Sequence, residues 1–136
     1  MGETKRILVV DDEPDTSLYL CSLLEDHGYE AEAASDGEAA LAAMEQFRPH
    51  LVTLDVMMPG RSGLDLLVRL RNDMRWAAVR LVMLTGHDAV VADGGASYLR
   101  GHGVRSGPDA VLGKPVVTMD FLSAIRRLLL DGEEPD

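Results

Sequence analysis

Residues 51–60 read LVTLDVMMPG. Four mostly apolar residues, Leu51 to Leu54, run straight into one acid, Asp55. A run this short and apolar, bounded by Pro49 and Pro59, reads as a buried strand of a parallel sheet. Asp55 then stands at the strand's carboxyl end. In open α/β sheets that edge is where ligands bind. The Met57-Met58-Pro59-Gly60 stretch must turn the chain away at once.

Three other segments end in the same manner. Ile7–Val10 runs into Asp11-Asp12-Glu13, and Leu81–Leu84 runs into Thr85. Ala110–Leu112 is followed by Gly113-Lys114-Pro115. Four strands therefore aim acids, one hydroxyl and one amine at a single edge. Tyr29–Ala34 alternates acidic and apolar residues, which suits a half-exposed edge strand.

Helical patterns separate the strands. Leu20, Leu23 and Leu24 recur at helical spacing, with capping chemistry expected at Asp15-Thr16-Ser17 and a stop at Gly28. A second helix is expected over Glu38–Phe47, ending before Pro49. Ser62 can cap a third, with Leu64, Leu66, Leu67 and Leu70 inward and Arg69, Arg71 and Asp73 in solvent. The last spans about Thr118–Leu130, on a stripe of Phe121, Leu122, Ile125, Leu128 and Leu129. Alternating strands and helices imply a parallel sheet covered on both faces.

Seven of the 13 glycines fall between Gly86 and Gly113. Each glycine costs a helix interior roughly 1 kcal/mol relative to alanine. The helix between the fourth and fifth strands is therefore expected to be short, broken or displaced, with helical pieces only at about Ala89–Asp93 and Ala96–Leu99.

The residues at the shared edge resemble the receiver domain of two-component response regulators. The match is Asp11-Asp12 after the first strand, Asp55 followed by Met58-Pro59 and Gly63, Thr85 after the fourth strand, and Lys114-Pro115 after the fifth. Asp12 and Asp55 stand 43 positions apart and Asp55 and Thr85 30 apart, as is usual for the family. Thr85 and Lys114, 29 apart, are several residues farther than usual. The resemblance implies a flavodoxin-like (βα)5 three-layer sandwich with strand order 2-1-3-4-5 and an irregular fourth helix. It covers almost the whole chain, so residues 1–130 are taken as one receiver domain. Residues 131–136 are an acidic tail or a truncated linker.

Three carboxylates at one edge repel one another, and at least one pKa must rise. A divalent cation removes the conflict, and all-oxygen ligation suits Mg²⁺, or Mn²⁺ in its place. The resemblance assigns the contacts: Asp12 and Asp55 ligate directly, Asp11 acts through water, and the backbone carbonyl of Met57 contributes. It makes Asp55 the phosphoacceptor, Lys114 the point charge on the incoming group and Thr85 a hydroxyl donor. It also implies a cis bond between Lys114 and Pro115. The donor is a sensor histidine kinase or a histidine phosphotransfer protein. The output is a downstream protein target or a missing output domain. Such a domain accepts phosphate and promotes at most its own dephosphorylation, so it is not a turnover enzyme. Receivers usually carry an aromatic residue where this chain has Val111, which cannot swing a ring, so Tyr98 on the neighbouring segment is the candidate substitute for an aromatic switch.

Two rival classes fit less well. An aspartate-nucleophile phosphohydrolase places two acids one residue apart after its first strand, whereas here they are adjacent and the nucleophile lies on a later strand. A pseudo-receiver that binds partners without phosphorylation has no need of the complete acid, Thr and Lys set.

The net charge of −10, from 23 acids against 13 Lys and Arg, argues against direct nucleic-acid binding and against an anionic membrane surface. No apolar run approaches membrane length and no signal peptide is legible, so the expected compartment is the cytoplasm. The single cysteine, Cys21, lies in a helical pattern and reads as packing rather than as a reactive thiol. His27, His50, His87 and His102 share no ligand spacing. His87, two residues past Thr85, is a candidate flank of the phosphoryl entrance.

Overall fold

A computed structural model describes residues 4–55, 63–85 and 108–132. Five strands form one parallel sheet: β1 (Arg6–Val10), β2 (Glu30–Ala34), β3 (Leu51–Asp55), β4 (Arg80–Thr85) and β5 (Ala110–Gly113). Their order is β2-β1-β3-β4-β5, as the resemblance implies. The described helices are α1 (Pro14–Asp26), α2 (Gly37–Gln46), α3 (Gly63–Arg71) and α4 (Thr118–Gly132), with a 3₁₀ turn at Met74–Trp76. The helix expected between β4 and β5, and Tyr98 with it, lies outside the described residues.

Side-chain alternation along the strands divides the core into two layers. Leu8, Val10, Val52, Leu54, Leu81 and Met83 face α2 and α3, where Ala40, Met44, Leu66, Leu67 and Leu70 meet them. Ile7, Val9, Leu51, Val82 and Leu84 face the other way, onto Leu20 and Leu24 of α1 and Phe121, Ile125, Leu128 and Leu129 of α4. The expected stripe on the last helix is therefore its buried face, with Leu122 half-buried beside it. All five residues of β3 are buried, which is why its sequence carries no polar alternation. β2, at the edge, buries only Ala34 fully and exposes Glu30 and Glu32. Charges on an edge strand oppose pairing with a second chain.

Local signals account for most boundaries. Asp36 caps α2, its carboxylate accepting from the Ala39 amide at 2.8 Å. Gly28 follows the end of α1 at φ +92°, a left-handed conformation that glycine adopts without strain. The expected cap of α1 is corrected. Glu13 is the N-cap and makes no side-chain capping bond, while Pro14 occupies the first turn, where its missing N–H costs nothing. Ser17 is buried inside the helix and donates to the Asp11 carbonyl at 3.3 Å.

One expectation about α3 is also corrected. Arg71 is not in solvent. Its side chain is 6% exposed and pairs with Asp109 at 2.9 Å. The same guanidinium donates to the Ala77 and Val79 carbonyls, and Asp109 accepts from the Leu81 amide at 2.8 Å. A helix-end arginine thus ties α3 to the starts of β4 and β5.

Candidate phosphoacceptor site

Because the strands are parallel, their carboxyl ends share one edge. Asp11 follows β1 directly, Asp55 closes β3, Thr85 closes β4 and Lys114 follows β5. Register brings them level: Val10 pairs with Leu54, Asp55 with Leu84, and Thr85 with Gly113. Backbone bonds then tie the loops to the sheet. The Asp11 amide donates to the Ala34 carbonyl and the Lys114 amide to the Thr85 carbonyl, both at 3.0 Å. The Lys114–Pro115 peptide is cis, as the resemblance implies.

Asp11, Asp55 and Thr85 are buried, each at most 2% exposed. Asp12 is half-buried. Asp11, Asp12 and Asp55 each offer a carboxylate oxygen, and the three oxygens lie within 4.8 Å of one another. Lys114 Nζ sits 3.1 Å from Asp55 Oδ1 and 3.7 Å from Asp11 Oδ2. Among the described residues, three carboxylates thus face one ammonium at this edge.

The two oxygens of Asp11 have different fates. Oδ1 accepts from the Glu13 amide at 2.9 Å, a bond two residues on that Asp makes readily at a turn. Oδ2 is buried without a hydrogen-bond partner among the described residues. Burial pushes the Asp11 carboxyl above its ordinary pKa. The Glu13 amide pulls it back, the Asp55 carboxylate adds to the rise, and Lys114 opposes it. A buried carboxylate oxygen with no hydrogen bond among the described residues and like charges beside it is what a cation would relieve. The donor set is all oxygen, which fits a hard divalent ion such as Mg²⁺ or Mn²⁺.

Of the residues singled out in sequence, Asp11, Asp12, Asp55, Thr85 and Lys114 are brought to one edge. Met57, with its backbone carbonyl, and His87 lie outside the described residues. Two contributors were not expected from the sequence. The Glu13 amide orients Asp11, and the Ser17 hydroxyl holds the Asp11 carbonyl; an Asp two positions before Glu13, at a strand end, was the available signal for the first. Val111 stands half-buried against the α2–α3 side of the core, at the place where an aromatic was expected and is lacking.

Comparison with known proteins agrees with this geometry. The family profile described as response regulator receiver domain matches residues 7–126. The DNA-binding response regulator MtrA of Mycolicibacterium smegmatis is 35% identical over 136 residues, covering 96% of this chain and 54% of that protein. The DNA-binding dual master transcriptional regulator RpaA of Synechocystis is 36% identical over 124 residues, covering 91% of this chain and 48% of that protein. The chain thus spans about half the length of the curated relatives it matches. Among solved structures, a CheY-like receiver domain protein from Methanospirillum hungatei superposes with a TM-score of 0.82 at 29% identity, covering 97% of this chain and 98% of that one. The receiver domain of a signal transduction histidine kinase from Syntrophus aciditrophicus gives 0.83 at 25% identity, covering 98% and 96%. The profile match runs from the first strand into the last helix and takes in every acid, hydroxyl and amine of the edge, and on that ground the chain belongs to the response regulator receiver domain family.

Proposed function

We propose that Asp55 accepts a phosphoryl group from a sensor histidine kinase or a histidine phosphotransfer protein, and that the modified edge alters binding to a downstream protein or output domain. The observation that carries this reading is the 3.1 Å contact between Lys114 Nζ and Asp55 Oδ1, at an edge where three carboxylates converge. Asp11, Asp12 and Asp55, with the backbone carbonyl of Met57, would hold Mg²⁺ or Mn²⁺. When bound, the ion offsets the negative charge of the phosphoryl oxygens.

The chain's own residues supply the rest. An Asp55 carboxylate oxygen attacks phosphorus, a P–O bond forms, and the P–N bond to the donor imidazole breaks with its electron pair leaving on nitrogen. The product is an acyl phosphate on Asp55. Lys114, already placed against Asp55, offers a point charge to a phosphoryl oxygen. Thr85, closing the neighbouring strand, offers a hydroxyl hydrogen bond to the same group. The glutamate amide under Asp11 keeps that carboxylate aimed at the edge. Positioning and charge, rather than an acid–base relay, are what this set provides. The domain is a phosphate acceptor that at most promotes loss of its own phosphoryl group to water, and not a turnover enzyme.

The charge of −10 supports a protein partner over nucleic acid for this domain. Among the described residues no helix is long and apolar enough to cross a membrane. We take the cytoplasm as its compartment and residues 131–136 as a tail or linker, of which α4 takes in the first two. Incubation with acetyl phosphate and Mg²⁺, followed by intact mass, tests the reading. A single phosphoryl adduct on the native chain and none on Asp55→Asn supports it. Sustained hydrolysis of an organic phosphate would instead indicate an enzyme.

A further inference from the structure

Asp11 sits where β1 gives way to α1, and the chain holds it from several sides. Its amide donates to the Ala34 carbonyl at 3.0 Å. Its Oδ1 accepts from the Glu13 amide at 2.9 Å. Its carbonyl accepts from the Ser17 hydroxyl at 3.3 Å. Its Oδ2 faces Lys114 Nζ at 3.7 Å. The first bond follows from strand pairing and the second from the turn chemistry of aspartate. The third has no such local cause.

Ser17 lies in the first turn of α1 and is buried. A serine inside a helix commonly turns its hydroxyl back to the carbonyl four residues earlier. Here that carbonyl belongs to Glu13, and it accepts from the Ser17 amide at 3.0 Å. The hydroxyl instead reaches six residues back, past the start of the helix, to the residue that follows β1. A buried hydroxyl left without a partner would cost its full desolvation. On one side the turn is bordered by a cavity of about 400 Å³, lined by Asp11, Asp12, Pro14, Ser17 and Cys21 among others. Packed side chains do not back the turn there, so hydrogen bonds define where Asp11 lies.

We propose that Ser17 is a positioning residue for the metal. Its hydroxyl fixes the Asp11 backbone, hence the aim of the Asp11 carboxylate, and so sets the affinity of the edge for Mg²⁺. The inference rests on the reading of Asp11, Asp12 and Asp55 as the metal site. Mg²⁺ tolerates little departure from octahedral oxygen geometry. A donor set already in place therefore binds it better than one that must first be ordered. The Ser17 hydroxyl is committed to a backbone carbonyl, so it acts on metal affinity and not on the transfer step.

Ser17→Ala removes the hydroxyl and leaves a good helix former in its place. Calorimetric titration of the full chain with Mg²⁺ should show an affinity about fivefold below native, the size of one neutral hydrogen bond. Ser22→Ala, at an exposed position of the same helix, should bind Mg²⁺ as the native chain does. Phosphorylation of Ser17→Ala by acetyl phosphate should be slow at limiting Mg²⁺ and native at saturating Mg²⁺, a split that a general loss of fold would not give. In the metal-free chain, the Glu13 amide should exchange its hydrogen faster in Ser17→Ala, because the turn that presents it to Asp11 is loosened. Native Mg²⁺ affinity or an unchanged Glu13 amide in Ser17→Ala, an equal loss of affinity in Ser22→Ala, or a rate that stays low at saturating Mg²⁺ would overturn the proposal. If the native chain itself takes up no Mg²⁺, the reading of the metal site fails and this inference with it. If the native chain binds Mg²⁺ and Ser17→Ala binds it equally well, this inference alone fails.

Discussion

Arg71 and Asp109 lie 38 positions apart in sequence and form an ion pair at 2.9 Å, with the arginine side chain only 6% exposed. The pair joins the end of α3 to the start of β5. Removing the Asp109 carboxylate takes a counter-charge from a guanidinium in a poorly solvated place. Asp109→Ala should therefore destabilise the fold by about 3 kcal/mol, the lower end for a broken buried pair. Urea denaturation reads this as a lower midpoint at unchanged slope. By contrast Arg75, which bonds Glu45 and Asp73 on the exposed surface, should be replaceable by Ala without a resolvable shift.

That pair also shows where a single sequence stops being informative. The strands were legible because each apolar run is short and punctuated, and α4 because its stripe repeats at helical spacing. Arg71 was misplaced because periodicity counts any arginine as a solvent residue, and its partner sits on an element joined to it only by tertiary folding. The cap of α1 was misplaced for a related reason. Asp, Thr and Ser in succession signal a cap, but Pro14 fixes the start of the helix one residue earlier, and Ser17 is drawn to the Asp11 carbonyl instead. The five edge residues were legible because each ends or follows a strand, and parallel strands leave only one edge for them to share.

Asp12 should be needed for metal binding. Asp12→Ala removes one of the three oxygen donors at the edge and eases the crowding of charge that favours a cation. Calorimetric titration with Mg²⁺ should show a clear loss of affinity at preserved fold. Native affinity in this variant would remove Asp12 from the ligand set.

Lys114 should matter for rate more than for folding. Its side chain is 30% exposed, and its Nζ meets Asp55 and Asp11 across the edge. Lys114→Ala should remain folded and phosphorylate more slowly, since a hydrogen bond to a charged group is worth about 1.5–3 kcal/mol. Time courses with acetyl phosphate compare the two chains. A variant as fast as the native protein would mean that Lys114 does not meet the phosphoryl group.

Cys21 should be a sluggish thiol. Burial pushes its pKa up, and the charges of Glu25 and Glu32 push in the same direction. The folded state thus favours the protonated form, so this contribution to stability is complete below the ordinary thiol pKa and is lost as pH rises through the folded value. Alkylation by iodoacetamide at pH 8 should be slower on the native chain than on the urea-unfolded chain. Equal rates would mean that the helix does not shield the thiol.

The central claim is that Asp55 is the phosphoacceptor and that its neighbours exist to serve it. The most direct measurement is phosphorylation by acetyl phosphate with Mg²⁺, followed by borohydride reduction of the acyl phosphate and peptide mass mapping. The account predicts one modified residue, Asp55, with modification abolished when Mg²⁺ is chelated. Modification at Asp11 or Asp12 instead, or at Asp55 to the same extent without the metal, would contradict it.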